Sequence, residues 1–302
     1  MRCRTVRKQI MCSGIGLHSG RKVDLLLDRA KREIPVFNLT NQNVTKLPSR
    51  NVFWDASNSF DYAHYHINIT PERVSDTMLS TTVTSQQKNG TVFSVSTIEH
   101  LMAALWAFKL TDVNMSVTDV EIPIFDGSSK KWCEELANTG MEYLEIDVPP
   151  IIIYDKIRVE DGDSFLEVTP HADFCVDITI DFPFKSIGRQ RYKSIVNSAI
   201  FKDELSFCRT FVHLNDVVQL KMIGKALGGS LDNAIVVDDN KILNERGLRV
   251  KDEFVKHKVL DLIGDLWTLG RPIQGKITGY KPSHKINNLL ARKLYTRYSI
   301  GS

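Results

Sequence analysis

The order of periodicities along the chain constrains its fold most: strand-like alternation gives way to helical spacing, and after a break the same succession starts again. Residues 5–28 read as two short strands around the turn Ser13-Gly14-Ile15-Gly16, the second being the alternating Lys22-Val23-Asp24-Leu25-Leu26-Leu27. Irregular strand-like sequence, dense in Asn, Thr and Tyr, fills residues 35–84, and residues 96–108 then take up helical spacing. A strand over 112–120, a turn at Glu121-Ile122-Pro123-Ile124-Phe125-Asp126-Gly127-Ser128 and a helix over 129–137 complete the first half. Gly140 and the pair Pro149-Pro150 interrupt the pattern, which sets a boundary near 145 and divides the chain into domains 1–145 and 146–302. The second half begins again with strands, over 151–160, 164–170 and 174–182, and ends in helices. Strands followed by helices, twice, is an α+β pattern with two domains of related layout; no residue-level repeat accompanies it.

At 302 residues, 42% hydrophobic and 25% charged, the chain is long enough for two cores. Its formal charge is only +3, with no basic tract that could track a phosphate backbone, so nucleic acid is not an implied partner. The basic start Met1-Arg2-Cys3-Arg4-Thr5-Val6-Arg7-Lys8 leads into no apolar region of signal-peptide length, and no run is apolar enough to span a bilayer. A cytoplasmic protein without stable membrane insertion is expected, and no obligate protein partner is inferred. Cys3, Cys12, Cys133, Cys175 and Cys208 are scattered and never form Cys-x-x-Cys, which argues against a disulfide framework and against a thiolate metal site.

The chemistry concentrates in Phe254-Val255-Lys256-His257-Lys258-Val259-Leu260-Asp261, where a histidine and an aspartate four residues apart project from one face of an amphipathic helix. Val255, Val259, Leu262, Ile263 and Leu266 fall on one arc; His257, Asp261 and Asp265 fall on another. Such a pair suits two ligands of one metal ion but also suits solvated charges. Glu99 and His100, adjacent at the start of the first long helix, could supply a ligand and a base, or could simply favour the helix dipole and pack beneath it. His100, His257 and Asp261 together give three N/O ligands and leave a fourth position for water, the composition of a catalytic zinc site. Asp265 could orient another imidazole, with His284 as the candidate: either an exposed loop histidine or a cation held protonated. Arg209-Thr210-Phe211 and Leu227-Gly228-Gly229-Ser230 read equally as a ligand approach or as a cap and a tight turn.

Five segments converge on one family: Gly14-Ile15-Gly16-Leu17-His18-Ser19-Gly20, Ser96-Thr97-Ile98-Glu99-His100-Leu101, Glu121-Ile122-Pro123-Ile124-Phe125-Asp126-Gly127-Ser128, Leu227-Gly228-Gly229-Ser230 and Asp252-Glu253-Phe254-Val255-Lys256-His257-Lys258. With Asp261 and Gly264-Asp265, and in this order over nearly the whole chain, they resemble the UDP-3-O-acyl-N-acetylglucosamine deacetylase family. The resemblance implies a zinc-dependent hydrolase that removes the N-acetyl group from a UDP-3-O-(3-hydroxyacyl)-N-acetylglucosamine, releasing acetate in the committed step of lipid A biosynthesis. It implies His100, His257 and Asp261 as ligands of Zn2+, a set that Fe2+ also suits, Glu99 as general base, and His284 with Asp265 as the acid and its orienting partner. Thr210 would lie at the carbonyl oxygen and Lys258 beside the metal, while Phe182, Phe211, Asp216, Gly229 and Lys281 would contact substrate. The implied fold has helices sandwiched between two outer sheets. A βαβ insert within residues 197–239 would shape an acyl passage from Phe201, Phe207, Phe211, Val212, Leu214 and Leu220. Ser164, His213 and Leu231 depart from common family residues, and the stretch 32–66 is longer and richer in Asn and Tyr than the resemblance leads one to expect.

Overall fold

The computed structural model describes residues 1–30, 50–54, 66–86 and 92–299. The chain opens with β1 (Arg2–Val6), β2 (Ile10–Ile15) and β3 (Lys22–Arg29). β2 and β3 form the anticipated antiparallel hairpin, closing at Ile15 opposite Lys22. Val23, Leu25 and Leu27 of β3 are buried while their neighbours are less covered, the period of a strand with one face on the core. There follow β4 (Arg50–Trp54), β5 (His66–Asn68), β6 (Val74–Asp76), β7 (Thr82–Gln86) and β8 (Val92–Val95), then α1 (Glu99–Ala107), β9 (Val113–Val117), α2 (Lys130–Thr139) and β10 (Met141–Asp147). The strands make a five-stranded sheet in the order β2-β3-β9-β4-β5, a three-stranded sheet β6-β7-β8, and the pair β1-β10. α1 begins later than its periodicity because Ser96 bridges to Glu121 and Thr97 takes a φ of 62°. Apart from β4 and the first residue of β5, the stretch 32–66 lies outside the described residues.

The second half contributes β11 (Ile151–Ile152), β12 (Ile157–Asp161), β13 (Ser164–Thr169), β14 (Phe174–Asp181) and β15 (Arg189–Ile195). After them come α3 (Ser198–Ile200), running into a π turn to Leu205, β16 (Phe211–His213), α4 (Leu214–Met222), β17 (Ile235–Val237), α5 (Glu253–Leu266), β18 (Ile273–Tyr280) and α6 (His284–Ser299). The main sheet runs β12-β13-β18-β14-β15, with β11 also on β18. The single strand anticipated over 151–160 is in fact two, because β11 pairs parallel with β18 whereas β12 pairs antiparallel with β13. A βαβ unit does lie within 197–239: β16 and β17 pair in parallel, Phe211 opposite Ile235, with α4 between them. Of the apolar residues assigned to its passage, Phe201 belongs instead to the core, fully buried with its ring 5.7 Å from Trp106. Phe207 lines a surface hollow against α2.

The sheets lie outside and the helices between them, in the expected α+β arrangement: α2 packs on β2, α6 on β12 and β13, and α5 on β14 and β15. α1 and α5 cross at the centre. Gly264 permits that crossing, since a Cβ at this position would stand 2.0 Å from the Glu99 carbonyl oxygen. The amphipathic reading of α5 therefore needs one change. Its chemical face is as buried as its apolar face, because α1 and α6 cover what periodicity would leave to solvent.

Candidate active site

One helical turn of α5 separates His257 from Asp261, and α1 brings His100 against them. The ligand atoms of the three lie within 4.8 Å of one another, and they are the group of this kind found among the described residues. Asp261 Oδ1 stands 3.5 Å from His100 Nε2 and 3.3 Å from His257 Nε2; the two rings meet edge to face at 5.1 Å. His257 Nδ1 lies 3.0 Å from the Cys208 carbonyl, so this nitrogen donates and Nε2 keeps its lone pair toward the cluster. Burial lowers the His257 pKa to about 3, outweighing the pull of Asp261, which keeps the ring neutral. Burial would raise Asp261, but the Lys258 ammonium, whose Nζ donates to Oδ2 at 2.9 Å, holds it well below the usual range. Oδ1 is buried without a hydrogen-bond partner. A neutral imidazole with a free lone pair beside an ionised, unsatisfied carboxylate oxygen is the donor set a divalent cation completes.

Beside this cluster sit Glu99, Asp265 and His284, all buried. His284 Nδ1 donates to Asp265 Oδ2 at 2.9 Å, while its Nε2 faces the cluster, 4.0 Å from Asp261 Oδ2. Burial works against a charged His284, but Asp265, Asp261 and Glu99 raise its pKa to about 9. Glu99 is raised by burial, against the pull of His284 and His100. Two residues that sequence reasoning missed complete the network. Thr81 donates its N–H to Glu99 Oε2 at 2.9 Å and its hydroxyl to Asp265 Oδ1 at 2.5 Å, and Asn287 Nδ2 donates to Asp265 Oδ2 at 2.8 Å. Neither stood in a motif; only the fold brings them together.

A cavity of about 380 Å³ opens next to the network, walled by Leu17, Phe211, Val212, Leu220, Leu231 and Val236. Thr210 and Gly229 line it too. Thr210 is fixed through its backbone, donating to the Gly127 carbonyl and accepting from Ile235 N–H. The paired glycines form the tight turn: Gly229 N–H closes it on Ala226, and Gly228 packs so closely on the first half that a Cβ would lie 2.3 Å from Gly16 O. A neighbouring hollow takes in Phe182, Asp216, Phe184 and His213. Phe211 joins the two hollows to the cluster, its ring 5.5 Å from Phe182, 6.1 Å from His257 and 5.8 Å from Lys258 Nζ. Lys281 stands apart at an exposed turn, paired with Asp163 at 2.6 Å next to Ser164. His213 stacks on Phe184 at 4.0 Å and lies 3.1 Å from Asp239, while Leu231 is half exposed on the cavity wall.

Three of the recognised segments meet at one buried carboxylate. Glu121 accepts from the N–H groups of His18 and Ser19 and from the Thr97 hydroxyl, which sets the loop before β3 against the start of α1. Arg209 pairs with the buried Glu253 at 2.9 Å, tying the Thr210 segment to the first turn of α5. A family model described as UDP-3-O-acyl N-acetylglycosamine deacetylase matches residues 3–296. The chain is 40% identical over 291 residues to a UDP-3-O-acyl-N-acetylglucosamine deacetylase of Pasteurella multocida, covering 96% of this chain and 88% of that protein. It is 33% identical over 294 residues to the enzyme of the same name from Helicobacter pylori, covering 97% and 91%. To that of Campylobacter fetus it is 35% identical over 292 residues, covering 96% and 90%.

Proposed function

Because the chain belongs to the UDP-3-O-acyl N-acetylglycosamine deacetylase family, we propose that it hydrolyses the N-acetyl group of a UDP-3-O-(3-hydroxyacyl)-N-acetylglucosamine, the committed step of lipid A biosynthesis, with Zn2+ held by His100, His257 and Asp261. The observation that carries this reading is the convergence of those three side chains with Glu99 and the His284–Asp265 pair in one buried centre. Zn2+, or Fe2+ in the same donor set, would supply Lewis-acid polarisation of the amide carbonyl and acidification of water.

The residues divide the remaining work. Glu99, its Oε2 held by Thr81 N–H, accepts a proton from water as the water oxygen attacks the acetyl carbon. The Thr210 hydroxyl, at the cavity wall, stabilises charge on the carbonyl oxygen. When the C–N bond breaks, the glucosamine nitrogen is a poor leaving group unless it is protonated, and His284 gives it the proton from Nε2 while Asp265 keeps Nδ1 occupied. The products are acetate and a free amine. Lys258 neutralises Asp261 Oδ2 and leaves Oδ1 for the ion.

In the same reading the 380 Å³ cavity takes the acyl chain, Phe182, Phe211, Asp216 and Gly229 contact substrate from the two hollows, and Lys281, which lies outside them, contacts it once released from Asp163. Residues 1–145 and 146–302 form two domains, with the ligands shared between them. No described helix is long and apolar enough to cross a membrane, and we assign the protein to the cytoplasm. Acetate release from the UDP-sugar, measured before chelation, after it and with Zn2+ restored, tests the whole reading. Release that follows the metal supports it; none from folded, zinc-loaded protein removes the substrate assignment.

A further inference from the structure

The segment joining β6 to β7 ends at Thr81, a buried residue that grips two helices from different halves of the chain. Its backbone is bound to the start of α1: the N–H donates to Glu99 Oε2 at 2.9 Å, and the carbonyl accepts from Ile98 N–H at 3.4 Å. Its hydroxyl is bound to α5, donating to Asp265 Oδ1 at 2.5 Å, and the same oxygen lies 3.3 Å from His284 Nδ1. One side chain thus touches the partner of the acid and the acid itself, while its peptide holds the base.

We propose that Thr81 is a positioning residue for the deacetylation, its hydroxyl fixing the Asp265 carboxylate so that His284 Nε2 points at the reacting centre while its N–H fixes Glu99. The proposal rests on the reading of Glu99 and His284 as base and acid. Asp265 needs this contact because its two oxygens have different duties. Oδ2 already accepts from His284 Nδ1 and Asn287 Nδ2, so Oδ1 depends on Thr81 to stop the carboxylate rotating about its Cβ–Cγ bond. A buried carboxylate oxygen that loses its donor seeks another, and the nearest route is a rotation that loosens His284. Thr81 is buried and lines neither hollow, which places its hydroxyl to act on the chemical step rather than on binding.

Thr81→Val replaces the hydroxyl with a methyl group and keeps the N–H on Glu99; Thr81→Ser keeps both. In full-length, zinc-loaded protein the valine variant should lose kcat on the order of 10- to 100-fold, the scale of a small misplacement of a reacting group. KM should stay within about twofold, as befits an interaction used after binding, and serine should restore kcat to within about threefold. A readout independent of turnover is the downfield proton resonance of His284 Nδ1–H, assigned by its disappearance in His284→Gln. It should shift or broaden away in Thr81→Val and persist in Thr81→Ser. Should thermal melts show that the valine variant does not fold, Thr81→Ala removes the same hydroxyl with less steric demand. A wild-type kcat together with an unmoved resonance in the folded variant overturns the proposal, as does a loss confined to KM. If the wild-type protein releases no acetate, the deacetylase reading fails by itself, and the resonance alone decides the role of Thr81.

Discussion

At the residue scale, the site is set by carboxylates and imidazoles whose ionisation is decided by what buries them. Catalysis as proposed needs Glu99 deprotonated and His284 protonated. Burial raises Glu99, so the acidic limb of the pH–rate profile should stand above the ordinary carboxylate range. His284, raised to about 9, sets the alkaline limb, and the charge of a bound dication pulls both limbs down from these positions. Glu99→Ala and His284→Ala should each abolish their own limb along with most of the rate; two unchanged limbs would falsify the division of roles. The same shift acts on stability with a definite sign. Between the unfolded pKa near 6.5 and the folded pKa near 9, the native state of the metal-free protein binds more protons than the unfolded one. The stabilisation from His284 is therefore complete below that window and is lost as pH rises through it. Urea melts of apo protein should show this decline, and Asp265→Asn should flatten it. His257, Asp261 and Asp265 were legible on one face because helical spacing is a local property of α5, while Glu99 and His100 at the start of α1 and His284 at the start of α6 became legible as site residues only through the resemblance. Thr81 and Asn287 were not, since their partners lie 184 and 22 positions away, and a lone threonine or asparagine carries no periodic signal.

At the element scale, the decisive contact is between two helices that approach each other where one residue has no side chain. Glu99 and His100 start α1, His257 and Asp261 lie on α5, and the cluster closes only if the backbones meet at Gly264. Gly264→Ala places a methyl group 2.0 Å from a carbonyl oxygen, with rigid backbone on both sides, so the helices must part. Overpacking of this kind costs about 1–3 kcal/mol of stability. Displacing His100 from the other two ligands should cost the site at least about tenfold in metal affinity, as lost ligand orientation does. Zinc titration of the apo variant against a competing chelator measures it; an unchanged affinity would show that the crossing does not set the site. Sequence alone found these helices but not their meeting, because a glycine inside a helix reads as a weakness until its neighbour is known. β18 was missed for a similar reason. Gly275 and Gly279 interrupt its alternation, and the space they leave is filled by Ile153 and Leu166 from adjoining segments. Placed between β13 and β14, this strand is the centre of the larger sheet.

At the scale of the whole molecule, the strand-then-helix order gave the α+β class and the resemblance gave the layers, which hold because each sheet can bury its apolar face only against helices and the helices then bury their remaining faces against each other. That arrangement makes any ion at the site a link between α1, from the first half, and α5, from the second. Without it, Asp261 Oδ1 is a buried charge acceptor lacking a hydrogen bond, held among two imidazoles and Lys258. The ion should therefore stabilise the entire fold, because the three ligands converge only in the native state. With free metal a hundredfold above its dissociation constant, linkage gives about 2.7 kcal/mol. For a chain of this size that corresponds to a rise in Tm of roughly 4 °C. Scanning calorimetry of chelated protein against zinc-loaded protein should show the rise, and it should grow with free zinc concentration. His100→Ala removes only the ligand from α1. If the ion bridges the two helices, this variant should lose nearly the whole increment even though His257 and Asp261 remain on α5. Retention of the full shift in His100→Ala would place the ion on α5 alone and remove the bridge.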